Sequence, residues 1–226
     1  MNLLVLGKGK TGSLVADIAR QRGHNVIVAG SAEGGAALSP ERLQNMHVVV
    51  DFTTPKAVMG NIEACALARK NMVVGTTGWY EQLVAVRALV EQTGIGFVYA
   101  SNFSIGVNLF FDIARAASAA LDRGYRGRIT ETHHVHKKDA PSGTAVMLQT
   151  IMQSSGVHDL PIDSIREGNV VGTHTIVFDS EDDSIVLTHA AKSRRGFADG
   201  AVRAAEWISG RKGFYDFKDV FRELRF

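Results

Sequence analysis

The sequence contains little cysteine, little proline and little net charge. Cys65 is its one cysteine, so no intrachain disulfide can form and we expect a reducing compartment, the cytoplasm. Only 4 of the 226 residues are proline, too few for a proline-rich linker or a low-complexity segment. The 25 Lys and Arg against 23 Asp and Glu leave a formal net charge of +2, which argues against a nucleic-acid partner.

The sequence also has no long apolar run. Met1 leads straight into the apolar stretch Leu3–Leu6, without the basic region and cleavage site of a signal peptide. No run approaches the ~18 consecutive apolar residues of a membrane helix, so we expect no membrane partner. An apolar fraction of 45% over 226 residues instead predicts one large globular domain or two smaller ones.

The first hundred residues alternate short apolar runs with stretches of helical spacing. This pattern is typical of a parallel sheet with helices on both faces, and strands of such sheets are apolar because both faces are buried. The predicted strands are Leu3–Leu6, Asn25–Val28, His47–Phe52, Met72–Val74 and Gly96–Ala100. We therefore predict an α/β fold, a doubly wound parallel sheet of the Rossmann type.

The second half of the sequence has a different pattern. The Ala-rich stretch Val107–Leu121 predicts a helix, and Ile129–Val135 predicts a strand. Thr173–Phe178 and Ser184–His189 alternate apolar and polar residues, which predicts strands with one covered face. This half therefore indicates a smaller α+β domain with an open antiparallel or mixed sheet, whose exposed side needs a helix layer or a partner chain.

A glycine-rich loop follows the first predicted strand. Gly7, Gly9 and Gly12 form the pattern G-x-G-x-x-G between Leu3–Leu6 and a predicted helix, the context in which this motif binds a dinucleotide. Gly7 permits a tight turn, Gly9 lets the backbone approach a pyrophosphate, and Gly12 allows close packing of helix on strand. The helix N-terminus adds N–H groups and a positive dipole.

The residues between these glycines allow two other interpretations. The run Gly9-Lys10-Thr11 resembles the end of an NTPase phosphate loop, but that motif needs a glycine five positions before Gly9, where Leu4 stands. Lys8 and Lys10 either attract phosphate groups or are simply solvated. We therefore predict dinucleotide binding by Gly7, Lys8, Gly9, Lys10, Thr11 and Gly12.

The choice between NADH and NADPH stays open in the sequence. An acidic residue about 20 positions after the glycine loop favours NAD, and a basic residue there accommodates the additional phosphate of NADP. The second predicted strand ends in Val28-Ala29-Gly30-Ser31, and Glu33 lies slightly beyond the expected position. The predicted cofactor is therefore NADH or NADPH, without a preference.

The densest cluster of reactive side chains lies in residues 131–145. Three of the eight histidines fall within four positions there, next to Lys137. On a strand, Glu131 and His133 lie on one face and His134 lies on the other. A single histidine is usually structural, but three of them beside lysines and a Pro-Ser-Gly-Thr turn indicate a functional site.

The turn that ends this segment predicts an anion site. Pro141 suits the first position of a helix and Ser142 can cap one, so the N–H groups of Gly143 and Thr144 would point at an anion. Together with Lys137 and the imidazoles, these groups predict an anionic substrate, most simply one that carries carboxylates.

A metal site is the alternative use of the histidines. Metal binding needs ligands that converge in a fixed geometry, and the adjacent His133 and His134 point to opposite faces of a strand. We therefore predict no metal.

Residues 131–145 resemble the signature E-x-H-H-x-x-K-x-D-A-P-S-G-T-A of the dihydrodipicolinate reductase family. The resemblance covers nearly the whole chain, although the stretch between Ser31 and Met46 is shorter than in typical members. It includes Gly7–Gly12, Asp51–Pro55, Gly75–Gly78, Ala100–Asn108 and Phe197–Ala201.

The resemblance implies roles for individual residues. His133 matches the acid/base histidine of the family, Lys137 its proposed proton donor and His134 a histidine that contacts substrate. Gly143 and Thr144 match the pair that binds a substrate carboxylate. The residues that match the nicotinamide side of the cofactor site are Gly75, Thr76, Thr77, Ala100, Ser101, Asn102 and Phe103.

The resemblance also implies an activity and an architecture. The chain would reduce 4-hydroxy-tetrahydrodipicolinate, a cyclic dicarboxylate, to tetrahydrodipicolinate in the diaminopimelate route of lysine biosynthesis. Residues 1–103 and 195–226 would form the dinucleotide-binding domain, with a helix from near Gly200, and residues 104–194 would form the substrate-binding and oligomerisation domain of a homotetramer. Two other classes stay open: a different two-domain nicotinamide dehydrogenase, and a non-catalytic nucleotide sensor.

Overall fold

The chain forms ten strands and eight α-helices within the described residues. The computed structural model describes residues 1–30, 37–153, 156 and 159–224. In chain order the elements are β1 (Asn2–Leu6), α1 (Lys10–Gln21), β2 (Asn25–Ala29), α2 (Pro40–Gln44), β3 (Val48–Asp51), α3 (Pro55–Leu67), β4 (Asn71–Val74), α4 (Leu83–Thr93), β5 (Gly96–Tyr99), α5 (Ile105–Ala117), β6 (Arg126–His133), α6 (Gly143–Gln153), β7 (Ile162–Arg166), β8 (Thr173–Asp179), β9 (Ser184–Ala190), α7 (Arg195–Ile208), β10 (Gly213–Asp216) and α8 (Phe217–Val220).

Six strands form a parallel sheet in the order β10-β5-β4-β3-β1-β2. The strand order reverses between β1 and β3, and open α/β sheets bind ligands at the carboxyl ends of strands at such a point. The glycine loop follows β1 there, and Asp51 ends β3. The five strands predicted in this half are confirmed to within one residue at each end, and the sheet is the predicted doubly wound parallel type.

The end of the chain adds two elements to this sheet. β10 pairs with β5 in parallel; the sequence did not predict this four-residue strand. Aromatic residues of this segment pack against the sheet and its neighbours, since Phe214 stacks on Phe97 with ring centroids 5.3 Å apart and Phe217 is fully buried. The helix predicted from near Gly200 begins earlier, at Arg195. Gly200 lies inside this helix. The position requires glycine, because a Cβ there would come within 1.8 Å of the Phe103 carbonyl oxygen.

A separate four-stranded sheet has the order β7-β6-β8-β9. β6 and β7 are parallel and the other neighbours are antiparallel, so the sheet is mixed, as expected. α5 and α6 cover one face of it. The core between them includes Phe110, Leu148, Ile129, Ile176 and Phe178.

Two predicted boundaries in this region were wrong, and one strand was not predicted. The predicted helix 107–121 ends as α-helix at Ala117 and continues as a 3₁₀ helix, Ser118–Arg123. The predicted strand 129–135 ends at His133, because the backbone N–H groups beyond it bond to a loop, with His134 N donating to Val170 O at 2.7 Å. β7 was not predicted, since its sequence mixes polar and apolar residues without a regular period.

The chain divides into two compact units, Met1–Ser104 with Arg195–Phe226, and Ile105–Arg194. Cys65 is buried in the first unit as a free thiol, and burial raises its pKa.

In the part of the chain that the structure describes, no helix is both long enough and apolar enough to cross a membrane.

Candidate active site

The glycine loop has the geometry that a bound dinucleotide requires. Gly7 has a φ of +107°, and a Cβ there would lie 2.2 Å from the Phe52 carbonyl oxygen. A Cβ at Gly12 would lie 2.1 Å from the Gly7 carbonyl oxygen, so these two positions accept only glycine. A Cβ at Gly9 would meet no atom within 4 Å, and its space is open to a pyrophosphate.

The N-terminus of α1 fits an anion. Gly9 is its N-cap and has no side chain to cap the helix, and the first turn contains no acidic residue. The first N–H groups of a helix have no partner within the helix and carry its positive dipole. Lys8 and Lys10 are exposed beside this end, and the Lys8 side chain lies over Gly30. The preference between NAD and NADP was considered at Ser31 and Glu33, and both residues lie outside the described residues.

The segments after β4 and β5 complete the carboxyl edge of the same sheet. Thr76 is buried and Thr77 is exposed, and the Phe52 ring occupies the space where a Cβ of Gly75 would lie, 2.2 Å from its nearest atom. The segment 100–103 follows β5 directly. Its Ser101 is exposed, whereas the Phe103 ring packs 4.8 Å from that of Phe217, so the Phe103 side chain contributes to the core.

In the second unit, successive side chains of β6 point to opposite faces of the sheet, and two reactive side chains lie on the buried face. Glu131 is completely buried and His133 is 8% exposed, on one face of the strand as predicted. His133 Nδ1 contacts Glu131 Oε2. His174 comes from the neighbouring strand β8, where it is paired with Glu131, and its ring lies 5.2 Å from that of His133 in an edge-to-face arrangement.

Glu131 on β6 also contacts a residue of β7, the other neighbour of β6 in the sheet. Arg166 on β7 donates to Glu131 Oε1 at 2.9 Å and to the Asp139 carbonyl oxygen at 2.6 Å. Burial alone would raise the pKa of Glu131, but hydrogen bonds from Ser164 and Arg166 hold it below its usual range. Glu131 is therefore ionised at neutral pH, and Arg166 is its cationic partner.

Burial keeps both inward histidines neutral. It lowers the pKa of His133 below 6.5, although the Glu131 charge opposes the shift. It lowers the pKa of His174 to about 4, and the charge of His133 acts in the same direction. At pH 7 the two imidazoles are therefore uncharged, and either ring can donate or accept a hydrogen bond.

The N-terminus of α6 faces the same cluster. Ser142 is buried and caps the helix, since its Oγ accepts from Ala145 N at 3.3 Å and lies 3.2 Å from His174 Nε2. The predicted place of Pro141 at the first helical position was wrong: the helix begins at Gly143, because the Ser142 side chain takes the N-cap position. Gly143 is exposed, and a Cβ there would meet no atom within 4 Å.

Lys137 and His134 lie on the turn between β6 and α6. Lys137 Nζ is 2.8 Å from each Asp139 carboxylate oxygen, an acidic partner that the sequence analysis did not single out. The backbone N–H of Lys137 donates to His134 O at 3.0 Å. His134 Nε2 lies 3.4 Å from Nη2 of Arg194, so an additional cation borders this turn.

Glu131, His133 and His174 could together hold a metal ion, since their ligand atoms lie within 4.8 Å of one another. This group differs from the pair considered in the sequence, His133 and His134, since His134 is not part of it. The Arg166 guanidinium is bonded to the same carboxylate, and its charge opposes a cation at this place. We therefore assign no metal here.

The neutral state of His174 predicts a pH dependence of stability. Its pKa is about 4 in the folded chain against 6.5 ordinarily, so between these pH values the unfolded chain binds the additional proton and acid favours unfolding. Replacing His174 with asparagine should therefore flatten the loss of unfolding free energy below pH 6.5, by up to about 1.4 kcal/mol per pH unit. Urea unfolding between pH 7.5 and 5 measures this slope.

The exposed His136 provides the control for this experiment. His136→Asn makes the same substitution at an exposed position, outside the buried cluster, and should keep the wild-type slope. Equal slopes for wild type and His174→Asn would contradict the assignment.

The sequence predicts that residues 131–145 form the functional site, but it does not predict which buried residues hold their side chains in place. Glu131 was placed on the correct face without a role, and Arg166 and His174 were not singled out. His174 gave one signal, a histidine that alternates with Ile176 and Phe178 on the apolar face of its strand. Arg166 gave none, because its partner lies 35 residues away in sequence.

Similar proteins agree with this architecture. The 4-hydroxy-tetrahydrodipicolinate reductase of Christiangramia forsetii is 36% identical, covering 99% of this chain and 99% of its own. That of Neisseria meningitidis is 38% identical, covering 85% of this chain and 81% of its own. A solved structure, dipicolinate-bound dihydrodipicolinate reductase from Paenisporosarcina sp. TG-14, has the same fold, with a TM-score of 0.77 at 24% identity, covering 97% of this chain and 99% of that chain.

Family models match both parts of the chain. The model described as dihydrodipicolinate reductase, N-terminus, matches residues 1–103, and the one described as dihydrodipicolinate reductase, C-terminus, matches residues 106–221. The resemblance seen in the sequence is thereby confirmed: this chain belongs to the dihydrodipicolinate reductase family.

Proposed function

We propose that this chain is an oxidoreductase that reduces 4-hydroxy-tetrahydrodipicolinate to tetrahydrodipicolinate with NADH or NADPH, in the diaminopimelate route of lysine biosynthesis. This proposal is supported mainly by the presence of two features in the same chain: the glycine loop at α1 and the histidine-lysine turn that leads into α6. In the overall reaction, a hydride and a proton are added to the substrate and water is lost.

The cofactor site lies at the carboxyl edge of the parallel sheet. Bound NADH or NADPH supplies the hydride. The loop Gly7–Gly12 holds the pyrophosphate at the N-terminus of α1. Residues 75–77 and 100–103 form the nicotinamide side, where the hydroxyl-bearing residues Thr77 and Ser101 are exposed and Thr76 is buried.

The substrate site begins at the N-terminus of α6. Gly143 and Thr144 direct backbone N–H groups at one substrate carboxylate, and Gly143 leaves the approach open. His134 and Lys137 lie on the preceding turn, where they add an imidazole and a positive charge for the dicarboxylate.

Proton delivery is assigned to Lys137. When hydride adds to the ring carbon, negative charge develops on the conjugated nitrogen system, and a donor must be protonated at that moment. Burial lowers the pKa of His133, so this imidazole is neutral at pH 7, while a lysine ammonium is charged. His133 acts as the acid/base group beside it, held by Glu131.

Oxidation of the reduced cofactor, followed by absorbance, tests the function. NADH and NADPH are each mixed with the chain, with and without freshly made 4-hydroxy-tetrahydrodipicolinate. We expect oxidation that depends on this substrate, and comparing the two cofactors gives the preference. Binding of cofactor without substrate-dependent oxidation would favour the nucleotide sensor, and oxidation with a different keto or imino acid alone would favour another dehydrogenase.

We propose further that the chain works as a homotetramer in the cytoplasm, where the buried thiol of Cys65 stays reduced. The face of the mixed sheet away from α5 and α6 supports the tetramer. On that face Val177 is paired with Val186, which is 58% exposed, and Thr175 with Thr188, their hydroxyl oxygens 3.1 Å apart. Such a face, with edge strands at β7 and β9, is typical of a surface that another chain covers.

Sedimentation velocity tests the tetramer. We expect wild type to sediment as a tetramer and Val186→Glu as a smaller species, because the carboxylate would be buried in the interface without a partner. Val84→Glu is the control, since Val84 is 84% exposed on α4 and its variant should keep the wild-type mass. A monomeric wild type would remove the proposal.

A further inference from the structure

The strand β3 ends in Asp51, a buried carboxylate whose hydrogen-bond donors among the described residues are neutral. Asp51 is 0% exposed. Its Oδ1 accepts from Thr53 N at 2.9 Å, from Thr53 Oγ1 at 2.8 Å and from Thr76 Oγ1 at 2.6 Å, and its Oδ2 accepts from Asn61 Nδ2 at 2.7 Å. These donors are neutral, and their hydrogen bonds offset the cost of removing the carboxylate from water.

These bonds connect two loops that follow neighbouring strands. Thr53 comes after β3 and Thr76 comes after β4, and the Thr53 N–H also donates to Thr76 Oγ1 at 2.7 Å. The backbone adds another link, since Gly75 N donates to Asp51 O at 2.9 Å. The carboxylate therefore fixes the backbone of both loops at the carboxyl edge of the sheet.

The residue after Asp51 extends this connection to the glycine loop. Phe52 N donates to Leu6 O at 2.9 Å, and the Phe52 carbonyl oxygen occupies the space where a Cβ of Gly7 would lie. The Phe52 ring covers Gly75 in the same way. The segment 51–53 thus contacts both the glycine loop and the loop after β4, on the sheet edge to which the cofactor is assigned.

We propose that Asp51 is a positioning residue for the cofactor, which holds the loops at Thr53 and Thr76 in the geometry that NADH or NADPH needs. The inference rests on the proposed function and deepens it. Preorganised loops avoid an ordering cost on binding, so loss of the carboxylate weakens cofactor binding through the loops that it holds. The threonine hydroxyl of Thr76 is then part of the scaffold, and its backbone forms the wall of the site.

The test measures cofactor binding directly. Asp51→Asn keeps the size of the side chain but replaces one acceptor oxygen with a donor, which leaves at least one hydroxyl or N–H donor without an acceptor. We expect the Kd of NADH, from fluorescence titration, to rise about tenfold or more, because loops that the carboxylate no longer holds must be ordered when the cofactor binds. In steady-state assays the KM for NADH should rise, while the KM for the dicarboxylate stays near its wild-type value.

A pair of variants at Thr76 decides the question if Asp51→Asn does not fold. Thr76→Val removes the hydroxyl and should weaken NADH binding, whereas the conservative Thr76→Ser keeps it and should bind NADH more tightly than Thr76→Val. Asp17→Asn, at an exposed carboxylate on α1, is the control for the change of charge. Wild-type Kd values in both folded Asp51→Asn and Thr76→Val would overturn the positioning role.

Failure of the proposed function gives a different result. If wild type binds neither NADH nor NADPH, the function itself fails. If wild type binds and the variants bind equally well, only the role of Asp51 fails.

Discussion

Replacing Lys137 with alanine should lower kcat by about 10²- to 10⁴-fold, the range that a positioned general acid contributes. The variant loses the one ammonium that we assign to proton delivery, and it leaves Asp139 without its partner at 2.8 Å. The Kd of NADH should stay near its wild-type value, because the cofactor is assigned to loops of the other unit. Stopped-flow or steady-state absorbance assays give kcat, and fluorescence titration gives the Kd.

The neighbouring Lys138 offers a matched control. It carries the same charge one position further along and is exposed, so Lys138→Ala should keep most of the turnover. A Lys137→Ala variant that turns over as fast as wild type would remove Lys137 from the mechanism and leave His133 as the remaining donor.

Replacing Gly9 with alanine should raise the Kd of NADH and NADPH by about tenfold or more, a loss of about 1.4 kcal/mol of binding free energy at minimum. A Cβ at this position meets no protein atom within 4 Å, so the melting temperature should not fall. The methyl group would instead occupy the space in which the backbone approaches the pyrophosphate. Fluorescence titration and thermal unfolding of the same sample separate the two effects.

Substitutions at two other glycines provide a contrast and a control for this prediction. Gly12→Ala should lose stability as well as cofactor binding, because its Cβ would lie 2.1 Å from the Gly7 carbonyl oxygen. Gly60 is exposed on α3, where a Cβ also meets no atom within 4 Å, so Gly60→Ala should match wild type in binding. A Gly9→Ala variant with wild-type affinity would contradict pyrophosphate binding at this loop.

The two sites differ in how much of their geometry is local. The glycine loop is local, since three glycines within six residues meet the demands of one turn and one helix N-terminus. The histidine site combines β6, β7 and β8, and its supporting ion pair joins Glu131 to Arg166. Local patterns can therefore predict which residues reach a ligand, but not which buried groups set their charge.

Element boundaries show the same difference. The buried parallel strands were predicted to within one residue, because a strand that is apolar on both faces produces an unbroken apolar run. β7 and β10 were missed, because each is short and becomes a strand only through its neighbour, β6 in one case and β5 in the other. Tertiary pairing, rather than local propensity, makes these segments strands.

The sequence by itself determined the family, the fold class, the glycine loop and the order of reactive residues from Glu131 to Thr144, because each depends on residue types at fixed short spacings. Only the tertiary structure decided the protonation of His133 and His174, the partnership of Glu131 with Arg166, and the connection of Asp51 to Thr76. The physical reason is that burial and hydrogen bonding depend on strands brought together from distant parts of the chain, and these two effects set the charge and position of each group.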